Sequence, residues 1–288
     1  MPTSIRESDS ASRKGALRRL TRQRGAVLGL VILCLLASMA VAAPWLSPRD
    51  PIKTAPRESL QPPGASFLLG SDQYGRDVAS RALHGARLSL TVGLIAVSIA
   101  VCLGTPVGLL SGYYGGRVDG FVMRVVDVLL AFPGILLALA IVSVLSPGLT
   151  NVMIAVGLSA VPNYARLVRA SVLSAREQLY VEAARALGSR DLAIVARYIL
   201  PNVVAPLIVT ATLGLGTAIL SAAALSFLGL GSQPPQPEWG RMLSEGRDYL
   251  REAWWISTVP GLGIMLTVLA MNLLGDGLRD VLDPRLKA

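Results

Sequence analysis

Five stretches of this chain carry no Asp, Glu, Lys or Arg: 25–48, 88–116, 128–165, 198–237 and 253–275. A charge at the centre of a bilayer costs roughly 2.5 to 3.5 kcal/mol on insertion scales, so charge-free runs of this length are what dissolves a chain in lipid. At a rise of about 1.5 Å per residue, about 20 residues cross a hydrocarbon core about 30 Å thick. The run 128–165, nearly twice too long for one helix, has Ser146-Pro147-Gly148 at its middle and reads as a helical hairpin. Pro201, Pro206 and the Pro234-Pro235 pair trim the run 198–237 to one span. Six spans result, at 25–46, 88–112, 124–146, 150–170, 205–231 and 255–276. The runs lack the dyad alternation of a barrel strand. The predicted class is therefore all-α, a polytopic membrane protein with six transmembrane helices.

Charged residues make up 16% of the 288 residues, against about 25% in soluble domains, which excludes an ordinary cytosolic enzyme. The net charge of +9 is dispersed between apolar runs with no recognition motif, so it reads as topology and nucleic acid is not an expected partner. The lipid bilayer is. The tail 1–24 holds Arg6, Arg13, Lys14, Arg18, Arg19, Arg22 and Arg24 against Glu7 and Asp9, and the positive-inside rule makes it cytoplasmic. With an even number of spans both termini lie inside. Segments then assigned inside hold 18 basic and 10 acidic residues, those outside 9 and 8. The expected organisation is a basic tail 1–24, a first helix 25–46, an extracytoplasmic loop 47–87, a five-helix core 88–279 with a cytoplasmic loop at 171–202, and a tail 280–288. The first run is longer than a signal-peptide core of about 7 to 15 residues and five spans follow it, so it is expected to be retained.

Few residues suggest chemistry. Cys34 and Cys102 sit in apolar runs as small hydrophobes, and the single histidine, His84, cannot build a multi-histidine site, so neither a metal site nor a catalytic residue is expected. Of three lysines, Lys14, Lys53 and Lys287, none lies in a phosphate-binding loop, and no G-x-x-x-x-G-K-[ST] occurs. ATP chemistry would belong to another polypeptide. No charge falls near the middle of a span, which disfavours an ion-coupled secondary carrier. His84 has no G-x-S-x-G beside it, which disfavours an intramembrane protease. Arg124 and Asp127, and Asp276 and Arg279, are spaced to pair on one helix face. Gly104, Gly108, Gly112 and Gly116 recur every four residues, and three of them would line one face for close helix packing. Pro106, Pro133 and Pro162 fall inside spans, where each permits a kink or hinge.

Two loops carry more information. In 166–202, Ser174-Ala175-Arg176-Glu177 fits a capping box that opens a helix with Leu179, Ala183, Ala184 and Leu187 on one apolar side. Gly188 stops that helix, Asp191 starts a second with Leu192, Val195, Ala196 and Ile199 at helical spacing, and Pro201 ends it. The result is a compact two-helix knob. In 70–87, two turn glycines, two acids and several arginines lead into a helix, which fits either a self-satisfied ion-pair cap or a docking surface.

Glu182-Ala183-Ala184, then Gly188, then Leu200-Pro201 resembles the EAA motif of the membrane subunits of bacterial ATP-binding-cassette importers, with Tyr198 where the family favours Ile. Phe67 to Asp77, Ser80-Arg81, Gly85 to Leu90, Gly112-Tyr113-Tyr114-Gly115-Gly116, Leu225 to Gly231 and Pro237-Glu238-Trp239-Gly240 are similar to the dipeptide and oligopeptide permeases of the C-subunit type, over about 22–284. Nickel and glutathione permeases share many of these segments. The resemblance implies a type I importer permease bundle in the bacterial cytoplasmic membrane, working by alternating access on di- or oligopeptides. It implies a second permease subunit in a heterodimer, two ATPase subunits or domains that hold ATP and Mg, and an extracytoplasmic solute-binding protein. Glu182, Ala183, Ala184, Gly188, Leu200 and Pro201 would couple to the ATPase, and Gly70, Asp72, Gly75, Arg76 and Asp77 are candidates for docking the binding protein.

Overall fold

The computed structural model describes Thr21 and residues 23–282, and among them every regular element is helical. Most of the tail 1–24 and residues 283–288 lie outside the described residues. Helix α1 (Arg24–Leu46) is followed by a long loop, then α2 (Val78–Tyr114), α3 (Gly116–Leu130), α4 (Gly134–Leu145) and α5 (Leu149–Arg176). After α6 (Leu179–Ala186), α7 (Asp191–Ile194) runs through a π turn, Val195–Ile199, into α8 (Leu200–Phe227); α9 (Trp239–Gly246) and α10 (Trp255–Leu282) complete the chain.

Four helices are long and apolar enough to cross a membrane: Arg24–Leu46, Val78–Tyr114, Asp191–Phe227 and Trp255–Leu282. Among the described residues the pair α3 and α4 is also apolar and long enough when taken together, with a bend of 91° between them, as in a broken span or a re-entrant loop. The remaining expected segment is α5, 28 residues long, whose Thr150, Asn151 and Asn163 make it less apolar. It packs against α2, α4 and α8, so much of its surface meets protein rather than lipid.

The boundaries depart from expectation in informative ways. Helix α2 begins at Val78, ten residues before the expected 88, because the Asp77 carboxylate caps it by accepting from the Ser80 amide and the charges of its first turns are paired. The third span, expected at 124–146 with a kink permitted at Pro133, breaks there into α3 and α4, since Pro133 lacks the amide donor a continuous helix needs. The hairpin break holds, with Ser146 and Gly148 at positive φ between α4 and α5. The expected second knob helix does not end at Pro201. The π turn shifts the hydrogen-bond register, the Leu200 amide donating to the Val195 carbonyl, and the chain continues through Pro201 as one helix. Neither expected i,i+3 ion pair forms: Asp127 takes Arg166 of α5 at 2.5 Å in place of Arg124, and Arg279 faces a cavity instead of pairing with Asp276.

In lipid, helix association rests on close packing more than on apolar burial, and small residues supply it. The mid-bundle core is built from Ala96, Ala100, Ala138, Val142, Val152, Ala155, Ala218 and Ala222 on α2, α4, α5 and α8. On α2, a Cβ at Gly104 would lie 2.7 Å from the Tyr164 Cβ, one at Gly108 2.5 Å from the Ala165 carbonyl oxygen, and one at Gly112 2.8 Å from the Val172 Cβ. These three glycines let α2 and α5 touch backbone to backbone. Gly116, the fourth of the series, has open space around it. Asp119 and Asp127 on α3 then bind Arg169 and Arg166 on α5, which pins the amphipathic α3 to that unit.

Candidate functional sites at the two ends of the bundle

At one end, α6, α7 and the π turn form the expected knob. Its start differs from the sequence reading: Ser174 to Arg176 still belong to α5, Glu177 closes that helix, and Gln178 precedes α6 without a side-chain cap. The capping-box spacing was overridden because Val172 and Ala175 bury their side chains with Val168 and keep α5 helical through Ser174. Gly188 holds φ +77°, and the Ser189 amide donates to the Ala184 carbonyl across the stop. No heavy atom lies within 4 Å of where a Gly188 Cβ would sit, so its requirement is conformational alone.

The apolar residues of the knob divide into two sets. Val181, Ala184, Ile194, Ile199 and Val203 are buried against Val168, Val172 and Tyr113, which fastens the knob to the bundle. Leu179, Leu187 and Leu192 are 82%, 86% and 81% exposed. The single apolar side expected for α6 is therefore two: Ala184 faces inward, while Leu179, Ala183 and Leu187 face out. Of the motif residues, Glu182, Gly188 and Pro201 are exposed and Leu200 half-buried. The Tyr113 hydroxyl donates to Asp191 at 2.6 Å, tying α2 to the start of α7, and the Arg176 guanidinium donates to the Gly112 carbonyl at 3.0 Å. Asn202 donates to the Tyr180 hydroxyl at 3.1 Å and closes the knob onto α8.

At the other end, the loop before α2 is organised by buried ions. Arg76 donates to Asp72 at 2.5 Å and to Glu245 of α9 at 2.7 Å, and Arg81 donates to the same Glu245 carboxylate at 3.1 Å. The Arg76 and Arg81 side chains are 3% and 1% exposed. Arg81 further donates to the carbonyls of Pro51 and Pro235 at 3.2 and 3.3 Å. Gly70 and Gly75 adopt φ +82° and +72°; a Cβ at Gly75 would overlap the Ala55 carbonyl. The Trp255 indole donates to the Ser71 carbonyl at 3.0 Å. His84 Nδ1 lies 3.1 Å from the Ser47 hydroxyl and 3.0 Å from the Ser80 carbonyl, which can only accept from it, a structural position.

All five residues expected to dock a binding protein, Gly70, Asp72, Gly75, Arg76 and Asp77, are buried. Their side chains build the loop and are not its outer surface, because each carboxylate and guanidinium is consumed by an internal partner. Leu68 and Tyr74 are the large apolar side chains that this stretch exposes. Sequence spacing gave no hint of Glu245, which lies 164 positions from Arg81.

Glu238 caps α9, accepting from the amides of Gly240 and Arg241 at 2.9 Å each and from the Ser89 hydroxyl at 3.2 Å. Burial pushes its carboxyl above the ordinary range, a shift these hydrogen bonds only partly offset.

A membrane-spanning bundle of close-packed helices with a two-helix knob fastened to one end is the build of an importer permease. The family profile described as binding-protein-dependent transport system inner membrane component matches residues 104–288, and that of the N-terminal transmembrane domain of oligopeptide transport permease C matches residues 13–63. The chain belongs to this family of inner membrane transport components. It is 48% identical over 273 residues to the dipeptide transport system permease protein DppC of Alkalihalophilus pseudofirmus, covering 95% of this chain and 90% of the relative. To the di/tripeptide transport system permease protein DppC of Pseudomonas aeruginosa it is 50% identical over 270 residues, covering 92% and 89%. To the glutathione transport system permease protein GsiD of Escherichia coli it is 48% identical over 271 residues, covering 94% and 89%. In three dimensions it is similar to a chain of the inward-facing MetNI methionine ABC transporter, with TM-score 0.54 and 23% identity, over 69% of this chain and 95% of the other. That likeness is one of fold.

Proposed function

We propose that this subunit carries di- or oligopeptides across the bacterial cytoplasmic membrane by alternating access, both termini and the knob being cytoplasmic. The observation that carries the reading is the knob. Its buried half is continuous with the core of α2, α5 and α8, while its outer half offers three leucines more than four-fifths exposed. Leucines so exposed outside an apolar span are the anchors of a protein contact. An ATPase subunit seated there would move α5 and α8 with the knob as rigid bodies. The full assembly on this reading has a second permease subunit, two ATPase subunits or domains that bind ATP and Mg, and an external solute-binding protein.

Relatives named for di- and tripeptides support peptide cargo. Glutathione is a second reading, favoured by 48% identity to a permease named for it. ATP-driven uptake by the reconstituted assembly decides between them: alanyl-peptides should compete with glutathione and be carried faster. Orientation is read by cysteine labelling in intact cells, where a cysteine replacing Ser66 should react with impermeant reagents and one replacing Ser189 should not. Ser232, which lies on the outer side by sequence, is buried and would report nothing.

A further inference from the structure

A cavity of about 890 Å³ opens between α5, α8 and α10, beside the knob. That volume falls within the range of small-molecule sites, about 300 to 1,000 Å³. Ser171, Ser174, Gln178, Tyr180, Asn202 and Arg279 supply its polar wall. Arg279 is the one charged residue on the wall among the described residues, and it has no ion pair among them. A planar guanidinium in that position matches a carboxylate through two parallel N–H donors.

The residues that α6 and α8 contribute are of another kind. The Asn202 amide nitrogen is spent on Tyr180 and on the Tyr198 carbonyl at 2.7 Å, which leaves the Tyr180 hydroxyl proton and the Asn202 side-chain oxygen available. Pro206 also lines the cavity and has no amide to give the Asn202 carbonyl four residues earlier, so that backbone acceptor is open. The lining of the cavity thus offers a cation from α10 together with neutral acceptors and a hydroxyl from α6 and α8. A free peptide, anionic at one end and rich in N–H donors at the other, has the complementary pattern. Among the described residues the wall holds no acid, so a free metal cation does not match it.

We propose that this cavity binds the transported peptide next to the knob, with Arg279 holding its C-terminal carboxylate. The proposal rests on the peptide-cargo reading above and adds to it the site and the end of the peptide that is recognised. An anionic lipid phosphate is the other group that a guanidinium at this depth would attract, and the test separates the two.

The assembly, with partner permease and ATPase subunits, is reconstituted in phosphatidylcholine vesicles. This chain carries Ser174→Cys as a reporter, and the exposed Cys34 and Cys102 are replaced by alanine. Alkylation of the reporter by N-ethylmaleimide is followed without ATP in the presence of trialanine or trialanine amide. Trialanine should slow alkylation, with about tenfold more of the amide needed for the same protection, the ratio expected when one charge-assisted pairing is lost. Arg279→Gln should bring trialanine down to the level of the amide, and Arg279→Lys should retain part of the difference. Equal protection by the two peptides, no protection by either, or unchanged protection in Arg279→Gln overturns the site. So does protection by phosphatidylglycerol in the vesicles with no peptide present. ATP-driven uptake of trialanine in the same preparation separates the two claims. Uptake without protection overturns the site alone; protection without uptake upholds the site and overturns the cargo reading.

Discussion

Arg76 and Glu245, separated by 169 positions in sequence, meet at 2.7 Å in a place where neither side chain is more than 8% exposed. The same carboxylate also receives Arg81 and Arg241, so a single acid on α9 fixes the loop before α2, the first turn of α2 and its own helix. A buried ion pair is weak evidence of net stabilisation, yet removing one partner leaves an uncompensated buried charge at a cost of about 3 to 5 kcal/mol.

Glu245→Ala should therefore lower the thermal midpoint of the detergent-solubilised assembly and expose the 47–77 loop to protease. Glu58→Ala, which removes the half-exposed partner of Arg49, should change it little. Equal effects from the two would mean that the cluster contributes no more than a surface pair.

The α2–α5 contact gives a paired comparison of glycines. Gly108→Ala places a methyl 2.5 Å from the Ala165 carbonyl oxygen, and helices that must part to admit it should lose about 1 to 3 kcal/mol. Gly120→Ala on α3, with no atom within 4 Å, should be neutral or slightly stabilising. Thermal unfolding of both variants checks the order, and the reverse order would show that α2 and α5 are not in backbone contact.

For the knob, Gly188→Val should cost about 1 to 2 kcal/mol locally, since a branched residue disfavours positive φ, and should re-aim Leu187 relative to Leu192. Gly188→Asn tolerates that conformation and should behave close to the parent. Ala184→Asp acts by another route, because Ala184 is in the buried half and a carboxylate there would loosen the knob from α5. Both defective variants should insert at normal abundance and lose co-purifying ATPase. Retention of the ATPase by both would leave the loop as a plain connector.

Glu238 predicts a pH effect with a definite sign. Its folded carboxyl binds a proton more tightly than the unfolded one, so ionisation opposes folding once pH rises through the unfolded value near 4.3. As pH falls from neutral toward that value, parent stability should rise relative to Glu238→Gln. A stability difference that is flat across this window would show that the hydrogen bonds from Gly240, Arg241 and Ser89 hold the carboxylate at its ordinary pKa.

Where lipid imposes the rules, the residues told most of the story. Charge-free runs placed the apolar helices, Ser146-Pro147-Gly148 marked the hairpin break, and the spacing of Gly104, Gly108 and Gly112 marked a close-packing face of α2, though not α5 as its partner, because each follows from a local cost. What escaped were decisions made between distant segments. Nothing around residue 88 says that α2 starts at Val78; that depends on Glu245 neutralising Arg81 from another helix. Ser174 to Glu177 carried a helix-start signal that packing of Val172 and Ala175 silenced. Ala184 and Leu187 share an apolar pattern, and only the position of α5 decides which of them is covered. The burial of Gly70, Asp72, Gly75, Arg76 and Asp77 was not legible for the same reason: a cluster of charges in a loop looks alike whether it faces solvent or itself.

The 37 residues of α2 amount to a rod about 55 Å long, more than the thickness of a whole bilayer with its headgroups. One end is clamped at Arg81 by the carboxylate of α9, and the other is bonded at Tyr113 to Asp191 in the knob. With its knob-side third held against α5 by Gly104, Gly108 and Gly112, such a rod acts as a lever with an off-centre fulcrum. About that pivot, a tilt of about 5° displaces the far end by roughly 4 Å and the knob end by less than about 1 Å, in opposite directions. A push on the knob is thereby delivered to the loop at the opposite end of the bundle by geometry alone, without any chain of side chains having to relay it.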